Sequence, residues 1–75
     1  MPKIGDLTKQ NIRDQVYQYL RDRMHNAEIT HADRLVDHEL AASMGVSRMP
    51  VREALLQLKS EGYLEGTSRG FVLPH

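Results

Sequence analysis

The sequence contains no cysteine. That excludes a disulfide framework and a cysteine-based zinc site, and it agrees with a reducing compartment. No apolar run approaches the ~18–20 residues of a membrane-spanning helix, and the N-terminus lacks the apolar core of a signal peptide. A soluble, cytoplasmic chain with no membrane partner is therefore expected. An excess of charge of one sign is missing too: 10 basic residues balance 10 acidic ones. Such a balance argues against coating nucleic acid by bulk electrostatics, although it permits a reader with a local basic patch. Four histidines are present (His25, His31, His38, His75), but no two stand at the i, i+4 spacing of a helical zinc site. No Ser/His/Asp constellation or organised carboxylate pair is identifiable. No metal, no cofactor and no enzymatic activity are expected.

At 75 residues the chain is one domain, without repeats or low-complexity runs. A chain this short buries only about 60% of its unfolded surface, so its stability is modest. Residues 1–7, with Pro2 and Gly5, read as a flexible N-terminal arm, and 8–75 as the folded domain. From Lys9 to about Asn26, apolar residues recur at Ile12, Val16, Leu20 and Met24, which predicts a long amphipathic helix. Asp6 or Thr8 would cap it, with Leu7 folded back as a staple. A connector follows in which Ile29 and Leu35 point inward and 34–36 form a very short strand. A second helix is expected from Asp37 to Met44, stopped by Gly45, a residue that accepts the left-handed conformation.

The stretch from Val46 to Leu55, continued to Leu58 and Lys59, separates into two faces when laid out at about 100° per residue. Val51, Ala54, Leu55 and Leu58 make a stripe that must be buried. Arg48, Arg52 and Lys59 cluster about a quarter-turn away, with Met49 and Leu56 beside them. Arginines at i and i+4 repel on a solvated helix by about 0.2–0.5 kcal/mol, so such a pair points to something anionic. Ser47 stands at the N-cap position, and Pro50 is tolerated in a first turn. The free N–H groups and dipole of that helix end favour a phosphate. The acids lie elsewhere, with Asp33, Asp37 and Glu39 before this helix and Glu61 and Glu65 after it. Beyond Gly62, the segments 63–66 and 71–73 flank the turn composition Thr67-Ser68-Arg69-Gly70 and predict a two-stranded hairpin. The fold class is mainly α with a small β-hairpin: a winged helix–turn–helix of three helices plus a two-stranded wing.

The run Glu39-Leu40-Ala41, Gly45-Val46-Ser47-Arg48, Met49-Pro50-Val51-Arg52-Glu53-Ala54-Leu55 and Leu58-Lys59-Ser60-Glu61-Gly62 resembles the N-terminal DNA-binding domain of the GntR family of bacterial transcriptional regulators. The wording Val-Arg-Glu-Ala-Leu-Leu-Gln-Leu is similar to the FadR-like branch. The resemblance implies a recognition helix at about 47–61 in the major groove and a wing at about 63–73 at the minor groove. It implies that Arg48 and Arg52 contact bases or phosphates and that Ser47 holds a phosphate. His38 stands where members often carry a second-helix arginine, which would make that contact pH-dependent. Met49 replaces a common threonine, and His31-Ala32 a common Pro-Gly. Gly70 matches the wing glycine, with Ser68 and Arg69 beside it. Full-length members carry a C-terminal dimerising domain that binds a small-molecule effector; none follows here, so the chain resembles an excised or truncated relative. The implied partner is double-stranded DNA with a palindromic operator, bound by a homodimer of the full-length protein.

Two readings of the basic face remain. In one, Arg48 and Arg52 read DNA, a guanidinium bidentate to guanine being worth about 1–3 kcal/mol of discrimination, and Arg69 enters the minor groove. In the other, the face is merely solvated, with Arg48 paired to Glu53 or Arg52 to an acid on another helix, and Arg69 is a turn residue in water. Lys59 reaches the DNA backbone or nothing. The competing function is a winged-helix module that docks a protein, favoured by neutral charge and by Met49 and Leu56.

Overall fold

The computed structural model describes residues 11–74. The expected arm at 1–7 and the expected caps Asp6 and Thr8 lie outside the described residues. Helix α1 spans Ile12–His25 and is capped by Asn11, whose side chain accepts from the Asp14 amide at 2.9 Å. That bond satisfies one of the first-turn N–H groups left without a helical partner. Of the expected apolar ladder, Val16 and Leu20 are buried and Met24 is half-buried, but Ile12 at the helix start is exposed.

Strand β1 (Arg34–Leu35), helix α2 (Asp37–Met44) and helix α3 (Arg48–Ser60) follow, then strands β2 (Glu65–Thr67) and β3 (Gly70–Val72). The expected two-stranded wing is one part of a three-stranded antiparallel sheet, ordered β1-β3-β2. β1 pairs Leu35 with Phe71, so it ties the wing to the segment that leads into α2. Inside the wing, Ser68 and Arg69 form the turn between paired Thr67 and Gly70.

The core gathers Val16 and Leu20 of α1, Ala41 of α2, the whole predicted stripe of α3, and Ile29, Leu35, Leu64 and Phe71. Val51, Ala54, Leu55 and Leu58 are all fully buried, and each buried aliphatic side chain of valine or leucine size stabilises by about 1.5–3 kcal/mol. α3 is thus held by α1 on one side and α2 on the other, leaving its remaining face outward.

Each helix ends with the same pair of backbone bonds, the Schellman arrangement. Ala27 and Glu28 donate to Met24 and Arg23, Gly45 and Val46 to Ala42 and Ala41, and Gly62 and Tyr63 to Lys59 and Leu58. Gly45 and Gly62 take the left-handed backbone at φ 70° and 88°, as expected of them; Ala27 takes it at φ 60° despite its Cβ.

Candidate nucleic-acid interface

An open groove of about 680 Å³ runs between the outward face of α3 and the wing, with the N-terminus of α2 forming one end. His38, Arg48, Arg52, Ser68, Arg69 and Gly70 all line it. Three separate stretches of the chain, at 38, 48–52 and 68–70, are brought to one concavity by the packing of α2 and β3 around α3. Ser47 and Met49 lie outside the lining, exposed at the start of α3, with Met49 60% exposed.

Ser47 occupies the N-cap position but makes no side-chain cap hydrogen bond. An N-cap side chain bonds the second or third helical N–H, and the third helical residue here is Pro50, which has none. The hydroxyl is exposed and left for an external acceptor. Gly70 owes its identity to the backbone: at φ 139°, an added Cβ would stand 2.5 Å from the Leu35 carbonyl oxygen. Any other residue would push the wing away from β1. Next to it, the Thr67 hydroxyl donates to the Gly70 carbonyl at 2.9 Å and accepts from the Arg69 amide at 3.1 Å. This pins the turn and carries Ser68 and Arg69 out to its tip.

Two further lining residues complete the charge of the site: Lys59, expected on the basic face with a backbone contact or none, and Asp37, which was not expected there. Lys59 bridges the groove floor, its Cε lying 3.3 Å from where a Cβ on Gly66 would sit. The second is Asp37, placed by the sequence reading among acids away from the basic face. It is 8% exposed and lies at the base of that face. Its Oδ2 accepts from Arg48 Nε at 3.2 Å and from Arg52 Nη1 at 3.4 Å, and its Oδ1 accepts from the His38 amide at 2.6 Å. Arg48 therefore pairs with Asp37 rather than Glu53, and Arg52 does pair with an acid on another helix. Burial opposes ionisation of Asp37, but the His38 amide and the two guanidinium groups outweigh it and hold the carboxyl below its ordinary value. The arginine side chains stay open to solvent all the same, at 61% and 46% exposure. The hairpin stands across the groove from them without covering it.

Among the described residues no helix is long and apolar enough to cross a membrane, and no group of three or more His, Cys, Asp or Glu is gathered to hold a metal ion. The lining carries four cationic side chains, a histidine and one carboxylate. Such a surface attracts a polyanion.

Comparison with known proteins agrees with that chemistry. Residues 12–71 match the family described as "Bacterial regulatory proteins, gntR family". A Streptomyces ambofaciens protein, "Uncharacterized HTH-type transcriptional regulator in unstable DNA locus", is 47% identical over 55 residues, covering 73% of this chain and 23% of that protein. The Bacillus subtilis (strain 168) "Uncharacterized HTH-type transcriptional regulator YdhC" is 37% identical over 60 residues, covering 79% of this chain and 27% of that one. The chain thus spans about a quarter of the length of these relatives. A solved structure described as "Lar controls the expression of the Listeria monocytogenes agr system and mediates virulence" superposes with a TM-score of 0.75 at 30% identity, over 88% of this chain and 31% of that one.

Proposed function

The chain belongs to the GntR family of bacterial regulatory proteins, and from that premise we propose that its basic groove is a sequence-reading DNA interface. α3 enters the major groove and the wing follows the adjacent minor groove. The observation that carries this reading is the convergence of Arg48, Arg52, Lys59 and Arg69 on one open concavity, with guanidinium groups whose outer edges are free.

Within that interface Arg48 and Arg52 contact base edges, guanine first, because O6 and N7 accept two parallel N–H bonds. Met49 points away from the buried stripe beside them, and the apolar feature it meets in a major groove is the thymine methyl. The Ser47 hydroxyl and the exposed N-terminal amides of α3 hold a phosphate. His38 at the rim adds a phosphate contact when protonated. Arg69 at the wing tip, with Ser68 beside it, enters the minor groove, and Gly70 serves by keeping the wing close.

The domain acts in the cytoplasm as half of a homodimer on a palindromic operator, with half-sites about one helical turn apart. Dimerisation and the binding of a small-molecule effector fall to a further domain of the full-length regulator. The Val-Arg-Glu-Ala-Leu-Leu-Gln-Leu wording favours the FadR-like branch. Exposed Met49 and Leu56 support the second reading, a protein-docking winged helix, but both stand on the ridge that also bears Arg52.

Selection of DNA from a random pool by the purified protein tests the proposal. The expected product is a short half-site with at least one guanine, bound with an affinity that falls by about 0.9 log units per log unit of salt for each phosphate neutralised. Failure to enrich any sequence, together with no salt-sensitive binding to random duplex, would favour protein docking.

A further inference from the structure

An acid inside a groove for a polyanion works against binding, and Asp37 is the one acidic side chain in this lining. It is nearly buried, and its two oxygens are divided between its own helix and the neighbouring one. Oδ1 accepts the His38 amide at 2.6 Å, with the His38 ring nitrogen Nδ1 at 3.6 Å. Oδ2 takes Arg48 Nε and Arg52 Nη1 together. We propose that Asp37 is a positioning residue for base readout: it clamps both arginines at their inner edges, so that their outer edges are preset for two neighbouring bases. The proposal deepens the DNA-binding reading above and rests on it.

Donor arithmetic supports the clamp. A guanidinium has five N–H donors in a rigid fork. Arg48 uses Nε on Asp37, which leaves its Nη1/Nη2 edge for a two-point contact. Arg52 uses Nη1, which leaves the edge made by Nε and Nη2. Neither remaining edge would have a fixed direction without the carboxylate, because two like charges one helical turn apart splay into solvent and long side chains lose rotamer freedom only when something holds them. The backbone bond to His38 fixes the carboxylate in turn, so the orientation of α2 against α3 is transmitted to the outer edges. The same negative charge weakens attraction to phosphate anywhere along a duplex. One side chain thus raises discrimination and lowers indiscriminate binding.

A purely structural role and a clamp separate in one experiment. Affinities of the wild type, Asp37→Asn and Asp37→Glu are measured by fluorescence anisotropy on the selected operator and on an unrelated duplex, with folding checked by circular dichroism. Asp37→Asn is expected to bind the unrelated duplex more tightly while its operator-to-unrelated ratio falls by about tenfold, the size of one lost two-point contact. Asp37→Glu, which keeps the charge and both acceptors, is expected to recover at least part of that ratio. An Asp37→Asn protein whose two affinities change together, with the ratio kept, overturns the proposal. A second readout needs no variant: in the wild type, the Arg48 Nε–H is expected to exchange with water more slowly than that of Arg52, whose Nε is not held. Equal exchange of the two overturns the clamp even if Asp37→Asn does not fold. Absence of any DNA selection by the wild type would instead sink the underlying reading.

Discussion

Arg21 and Arg23 of α1 and the two arginines of α3 stand in different surroundings, although both pairs lie on amphipathic helices of similar length. On α1, Arg21 donates to the Tyr17 hydroxyl at 3.1 Å and lies over the Tyr63 ring, 4.5 Å from its centre. Tyr17 in turn donates to the Glu61 carboxylate at the end of α3. Arg23 pairs with Glu28 at 3.3 Å and stacks on Tyr19. Each of these two cations has one polar partner and one face laid against a tyrosine ring. On α3 two arginines share a single carboxylate oxygen. The guanidinium faces of Arg21 and Arg23 lie against tyrosine rings, whereas those of Arg48 and Arg52 open onto the groove.

The strongest attempt to break that contrast is Arg48→Ala combined with Arg52→Ala. Each substitution is expected to cost about 1–3 kcal/mol of operator discrimination, and the pair to abolish it with the helical circular dichroism spectrum retained. Both variants still footprinting the wild-type site would end the assignment. Arg21→Ala is the control from the other helix: melting temperature is expected to fall, with operator affinity unchanged. A loss of discrimination in Arg21→Ala would mean that the two sets of arginines are not separate in function.

A smaller effect is expected at the wing. Arg69→Ala should weaken operator and unrelated duplex alike and flatten the salt dependence by about 0.9 in slope, if the side chain meets one phosphate-lined groove. An unchanged slope would leave Arg69 as a turn residue in water. Acid titration sharpens the comparison further. The Asp37 carboxyl is held below its ordinary value, so the stability it supplies is fully present above the usual aspartate range of about 3.9 and is lost as pH falls through the folded value. Glu61, lowered first by the Tyr17 hydroxyl and then by Gln57, contributes with the same sign on the other side of the molecule. Asp37→Asn and Glu61→Gln should each flatten the fall in melting temperature below about pH 4, and only the first should alter DNA discrimination.

The smallest expected effect lies at the end of α1. Ala27 holds a left-handed backbone that Gly45 and Gly62 hold at the matching place on the other helices. Ala27→Gly is expected to stabilise by about 1 kcal/mol or less, a rise of a few degrees in melting temperature, with DNA binding untouched.

Much of this was legible before any coordinates. The stripe Val51, Ala54, Leu55, Leu58 and the basic ridge beside it follow from helical periodicity alone, because side chains three and four apart share a face. Gly45 and Gly62 announce helix ends through their backbone freedom. Ser47 was expected as an N-cap; Pro50 removes the third helical N–H, but Met49 keeps the second, so the absence of a cap bond was not readable from the sequence. Asp37 was not readable. Nothing in its local sequence separates it from Asp33 or Glu39, and its role exists only once α2 is laid across the start of α3. The pairing of β1 with β3 is of the same kind: a very short strand was expected at 34–36, but its partner was not readable, because Phe71 must come beside Leu35 before a ladder forms.

Short-range physics, acting within a turn or two of chain, therefore determined the helices, their ends, the buried stripe and the two arginines that stand clear of it. Long-range packing alone decided which acid meets those arginines, how the wing is anchored, and that Arg69 shares a groove with them. The reason is that periodicity constrains which way a side chain leaves its own helix, whereas a contact between elements depends on the angle and offset at which two surfaces settle, and many sequences with the same pattern settle differently.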